Sequence, residues 1–207
     1  MNFEKPRELE QPLEAKENSN ESEDDSLELF IDNKELYHGS GTKGIKELRG
    51  SGNTTIGNGI YLTSKEEDAL CYAKSRYNEE SKNKEPTIYQ VSIENIKLLD
   101  LRKIENIKKI LLGFRPILEQ ELKKPNLKWI VIDSIEESIK AIDSTIESGR
   151  LKDVTFNTQD YFTNYIKSLG YDGLVALEGG EENHTHDHDT YLIFDPQKVK
   201  IEKEENL

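Results

Sequence analysis

The sequence predicts a mixed α+β domain in which two small sheets pack together with helices around them. Three observations lead there. Residues 86–93 alternate Ile88, Gln90 and Ser92 against Tyr89, Val91 and Ile93, the period of a strand. Residues 104–122 repeat Ile104, Ile107, Ile110, Leu111, Phe114, Ile117, Leu118 and Leu122 at the spacing of one helix face. Between Gly57 and Ala73 a loop, a short apolar strand (Ile60 to Leu62) and a helix follow one another without a break.

The chain has 207 residues, the length of one domain with appendages. Residues 1–27 are rich in Glu, Asn, Ser and Asp and too poor in apolar groups to offset chain entropy. A disordered acidic tail is therefore expected ahead of a domain over residues 28–207. The formal net charge of −13 argues against a nucleic-acid partner, because phosphate binding needs basic surface. More than half of that excess lies in residues 1–30, where ten acidic residues face three basic ones. The single cysteine, Cys71, precludes an internal disulfide and is expected to be a small buried thiol. No apolar run approaches the ~20 residues of a membrane span, and no signal-peptide core follows Met1. Cytoplasmic residence is the expectation; an effector exported through a non-cleaved signal is the alternative.

In chain order, a first strand is expected over residues 34–40, ending near His38. The loop that follows holds six glycines, and Gly57, Asn58 and Gly59 suit positive backbone angles. Thr63 or Ser64 can cap a helix over residues 65–77, whose first turn carries Glu66 and Glu67. The strand at 86–93 is followed by a second short one at 96–101. Residues 103–155 read as a helical insertion. Pro125 ends its first helix; Asp133 or Ser134 starts a second, carrying Ile135, Ile139, Ile142 and Ile146 and closing at Gly149. An intramolecular helical layer anchored by Trp129 is expected, with a partner surface as the alternative. Residues 157–169 form a further helix capped by Gly170, and strands follow at 173–177 and 190–194.

Tyr61 ends a strand and Tyr72 lies on the next helix, so the two rings border one cleft or pack the core. His38 ends an earlier strand within Leu36-Tyr37-His38-Gly39-Ser40, and Tyr191-Leu192-Ile193-Phe194-Asp195 is a late strand that breaks at Pro196. In this order the motifs resemble the ADP-ribosyltransferase superfamily, in the branch whose active site reads His, Tyr and Glu. Diphtheria toxin and the poly(ADP-ribose) polymerases belong to it. The polymerase version reads His-Gly-Ser or His-Gly-Thr, Gly-Ile-Tyr-Phe, Ala-Asn-Tyr, then Glu-Tyr-Ile-Val-Tyr-Asp. The opening motif and Gly170-Tyr171-Asp172-Gly173-Leu174-Val175 are still more similar to small transferase domains of phage and mobile-element polyvalent proteins. The resemblance covers residues 35–100 and 157–201.

That resemblance implies split mixed β-sheets around a cleft for NAD, which is the substrate. It assigns His38, Tyr61 and Thr190 to catalysis, and His38, Gly39, Ser40, Tyr61 and Tyr72 to NAD binding, with no metal. His38 would bond a ribose hydroxyl, the Gly39 backbone would grip the nicotinamide carboxamide, and Ser40 would assist. Tyr61 and Tyr72 would sandwich the cationic ring; Tyr72 follows Tyr61 by eleven residues, the polymerase spacing. Two positions depart from the pattern. Ala69 stands where the polymerases have a carboxamide-binding serine. Thr190 stands where they have the glutamate, and a neutral hydroxyl bond is roughly half as strong as a charge-assisted one. Mono-ADP-ribosylation of a protein acceptor fits this change and chain elongation does not. Glu178, Glu181, Glu182, Asp187 and Asp189 are near enough in sequence to replace the missing carboxylate. His184, His186 and His188 alternate, as in some metal sites, although three histidines in an exposed loop are more often solvated. An NAD glycohydrolase toxin and a catalytically silent interaction domain are the alternatives.

Overall fold

Strand β3 (Lys84–Leu101) is the spine of the molecule. In this computed structural model, residues 26–50, 55–75, 84–179 and 187–206 are described. Along its length β3 pairs antiparallel with β1 (Glu28–Thr42), from Thr42 opposite Lys84 to Glu28 opposite Leu99. Its other edge is shared. Residues 87–93 pair antiparallel with β6 (Val199–Asn206), and residues 98–101 pair parallel with β4 (Gly173–Glu178). From β4 the sheet continues antiparallel to β5 (His188–Ile193) and then β2 (Ile60–Thr63). A single bridge between Thr63 and Tyr37 returns it to β1.

The class is α+β, with one six-stranded mixed sheet. The two expected sheets are its two wings, joined because the strands expected at 86–93 and 96–101 are one. Asn95 sits at the join with φ 52°, a left-handed angle that asparagine tolerates, while the ladder to β1 continues on both sides. The first strand also begins earlier than expected, since Leu29 and Ile31 pair with Leu98 and Ile96.

Strand alternation sends side chains into two cores. Leu36, Ile60, Leu62, Tyr89, Val91, Leu98, Val175, Tyr191 and Ile193 fill the inside of the curled sheet. Leu99, Leu101, Leu174, Ala176 and Leu192 face outward against α2 (Ile104–Glu121), α3 (Trp129–Ser148), α4 (Lys152–Thr155) and α5 (Gln159–Ser168). The helical stripe read from the sequence meets that face through Ile107, Ile110, Leu111, Phe114 and Leu118. The insertion is an intramolecular layer. Each fully buried aliphatic or aromatic side chain in it contributes about 1.5–3 kcal/mol.

Some expectations fail in detail. Helix α2 ends at Glu121, ahead of Pro125, and α3 starts at Trp129, four residues before Asp133. Trp129 does not anchor the layer: it opens α3 and is 76% exposed. Cys71 is only half-buried. Gly57, Asn58 and Gly59 have no positive φ. The residues there are small because space is short: a Cβ on Gly59 would lie 2.6 Å from the Ile193 carbonyl oxygen. Gly149 and Gly170 do take the left-handed caps expected of them, at φ 73° and 85°. The acidic tail before Ser26, and Glu181, Glu182, His184 and His186, lie outside the described residues.

Candidate active site

Three adjacent strands carry the three motif positions. β2 lies between β1 and β5, with Tyr37 opposite Thr63 and Thr63 opposite Thr190. His38, Tyr61 and Thr190, remote in sequence, thus come within two residues of one row, His38 on the inner face opposite Tyr89, Tyr61 and Thr190 on the outer one.

His38 is half-buried, and its Nδ1 lies 2.9 Å from the Tyr61 carbonyl oxygen. A carbonyl only accepts, so Nδ1 carries the proton and Nε2 keeps its lone pair. Burial lowers the His38 pKa, opposed by that backbone bond, which keeps the ring neutral near pH 7. The ring is an acceptor fixed in one tautomer.

Tyr61 points to the outer, helical side of β2. Its hydroxyl accepts from the amides of Ile56 (2.8 Å) and Gly57 (3.2 Å) and lies 3.2 Å from the Gly57 carbonyl. It holds the loop ahead of its own strand. The insertion and α5 hold the same loop from the other side. Thr155 Oγ1 donates to the Thr55 carbonyl at 2.9 Å, and the Asn58 amide donates to Thr163 Oγ1 at 2.8 Å.

Tyr72 lies on α1 (Glu66–Ser75), which packs directly on β1. A Cβ on Gly39 would lie 1.9 Å from the Ala69 carbonyl oxygen, so only glycine admits the helix there. Gly39 is thus accounted for by packing, and Ala69 is fully buried against it. The Tyr72 hydroxyl reaches Glu178 Oε2 at 3.3 Å and His188 Nε2 at 3.2 Å, with its ring edge-on to His188. Ser40 stands apart: its Oγ accepts from the Thr42 amide at the bulge that ends β1.

Thr190 is 2% exposed and donates from Oγ1 to Glu178 Oε2 at 2.9 Å. Thr55 Oγ1 donates to the other carboxylate oxygen at 2.6 Å. Glu178 is therefore the meeting point of a loop, a helix and two strands. Asp189 turns to the opposite face, where Arg102 holds it at 3.1 Å and also pairs with Asp100 at 2.6 Å. The bond from Asp100 raises the Arg102 pKa, against burial. Asp187 is exposed. The sequence names Glu178 only as one of five carboxylates, and does not single out Thr55, Thr155 or His188 as neighbours. Strand parity is the usable signal, since Glu178 follows the buried Leu174 and Ala176 at intervals of two.

The hydrogen bonds thus join His38 to Tyr61, and Tyr72 to Thr190 through Glu178. The segment Thr55 to Gly57 links the two sets by bonding both Glu178 and Tyr61. Among the described residues no group of three or more His, Cys, Asp or Glu is arranged for a metal, and no helix is long and apolar enough to cross a membrane.

Neither a protein-family model nor a curated protein matches the chain. One solved structure, the Mycobacterium tuberculosis MbcT–MbcA toxin–antitoxin complex, aligns at 10% identity over 86% of each chain with a TM-score of 0.45. A likeness that weak carries no argument for this chain.

Proposed function

We propose that this protein is a mono-ADP-ribosyltransferase that cleaves NAD between nicotinamide and ribose and transfers ADP-ribose to a protein acceptor. One observation carries the reading: His38, Tyr61 and Thr190 lie on three neighbouring strands, each within two residues of the row Tyr37–Thr63–Thr190. Tyr72 and Glu178 close the same end of the sheet.

The chemistry suits these groups. Breaking the glycosidic bond returns its electron pair to the pyridine nitrogen and leaves an oxocarbenium-like ribose. His38 Nε2 accepts a bond from a ribose hydroxyl, which orients the sugar, and Tyr72 offers an aromatic face to the cationic ring. The acceptor then adds its lone pair to C1′ and loses a proton to solvent.

Incubation with NAD labelled in its adenylate half tests this reading. Label on protein is the expected result. Free ADP-ribose alone replaces transfer with hydrolysis; intact NAD overturns the enzymatic reading. His38→Ala should reduce turnover by about 10²–10³-fold, as loss of one positioned polar group does.

A further inference from the structure

We propose that Glu178 is the catalytic carboxylate of this site, standing in from β4 for the acid that Thr190 lacks on β5; the inference rests on the NAD-cleaving reading above. Register puts it there. Ala176 is opposite Thr190 and Glu178 is opposite His188, so Glu178 shares the outer face of the sheet with Thr190. Threonine is short enough to leave the space the carboxylate occupies, and it donates to that carboxylate at 2.9 Å.

Its bonding leaves an acceptor position open. A carboxylate offers about four lone-pair positions. Hydroxyls of Thr55, Tyr72 and Thr190 take three, which fixes the side chain and leaves one for a ribose hydroxyl. Tyr72 has a single phenolic proton, so donating to Glu178 makes it accept from His188 Nε2–H.

Its charge is the second argument. No lysine or arginine pairs with Glu178 among the described residues, whereas Asp189, next to Thr190 in sequence, is matched by Arg102. The partners of this half-buried carboxylate are neutral hydroxyls instead. Such a group is suited to a transient cation. In the step, the C1′–N bond breaks, its electrons pass to the pyridine nitrogen and neutral nicotinamide leaves. Glu178 remains ionised, accepts the ribose hydroxyl bond and opposes the charge at C1′. The acceptor then bonds C1′, and its proton goes to solvent.

The test measures nicotinamide release and NAD binding for four full-length proteins: wild type, Glu178→Gln, Glu178→Gln with Thr190→Glu, and Asp189→Asn. Glu178→Gln should lower kcat by about 10²–10³-fold with little change in KM. Moving the acid back to position 190 in the double variant should recover roughly tenfold or more, which also answers the case in which the single variant folds poorly. Asp189→Asn should stay near wild type. Turnover of Glu178→Gln within about threefold of wild type, or a double variant no better than the single one, overturns the role of Glu178 while leaving NAD cleavage intact. A wild type that neither binds NAD nor releases nicotinamide overturns the reading of the site and this inference together.

Discussion

The two faces of the sheet treat their acids differently at the same strand end. On the inner face Asp100 and Asp189 are gathered by one guanidinium, at 2.6 and 3.1 Å. On the outer face Glu178 meets three hydroxyls and no cation among the described residues. Both faces begin as apolar core and turn polar within two residues. The inner arrangement shares one cation between two acids and ties the end of β3 to β5. The outer one holds a carboxylate with neutral hydroxyls alone, the arrangement that the proposed chemistry uses.

Breaking the inner arrangement should have the largest effect on stability. Arg102→Met leaves two acids without their partner; since the pair is only partly buried, a loss of about 2 kcal/mol in chemical denaturation is expected, between exposed and buried cases. Nicotinamide release should scarcely change. If that variant loses turnover and keeps its stability, the division between the faces is wrong.

Thr155→Val probes how the helical insertion supports the outer arrangement. It removes the bond to the Thr55 carbonyl, and should cost about 1 kcal/mol while lowering turnover by loosening Thr55 on Glu178. An unaltered rate would confine the insertion to packing.

Acid should act through His38. Its pKa is depressed in the fold, so the unfolded chain takes up a proton first as pH falls through about 6.5. The His38 contribution to stability is complete above that pH and declines below it, until the folded form is protonated as well. Melting temperatures between pH 5 and 8 should therefore slope less in His38→Gln than in wild type. Equal slopes would remove the argument for a neutral, Nδ1-protonated ring.

The smallest change is expected at Trp129. With 76% of its surface exposed, Trp129→Ala should alter stability by no more than about 0.5 kcal/mol. A larger loss would mean that the ring is covered in solution.

Much of this architecture is local and could be read before any fold was known. The stripe from Ile107 to Leu118 repeats at a period that only a helix satisfies, and Gly149 and Gly170 mark stops where left-handed angles are needed. The motif positions His38, Tyr61, Tyr72 and Thr190 were legible as residue types in order. Trp129 was misread because composition favours burying tryptophan, while the helix it opens presents its buried face six residues later, at Ile135. The glycines at 57 and 59 were misread for a similar reason: their cause is a strand and a helix lying close by, both distant in the chain.

By itself, then, the amino-acid order determined the helices, the alternating strands and which chemical groups were present, because those depend on neighbours a few residues apart. Only the tertiary structure decided which carboxylate faces Thr190, that Tyr61 holds the loop before it, and which nitrogen of His38 bears the proton. Those depend on strand register and on contacts across the chain, and a slip of one residue would send Glu178 to the opposite face.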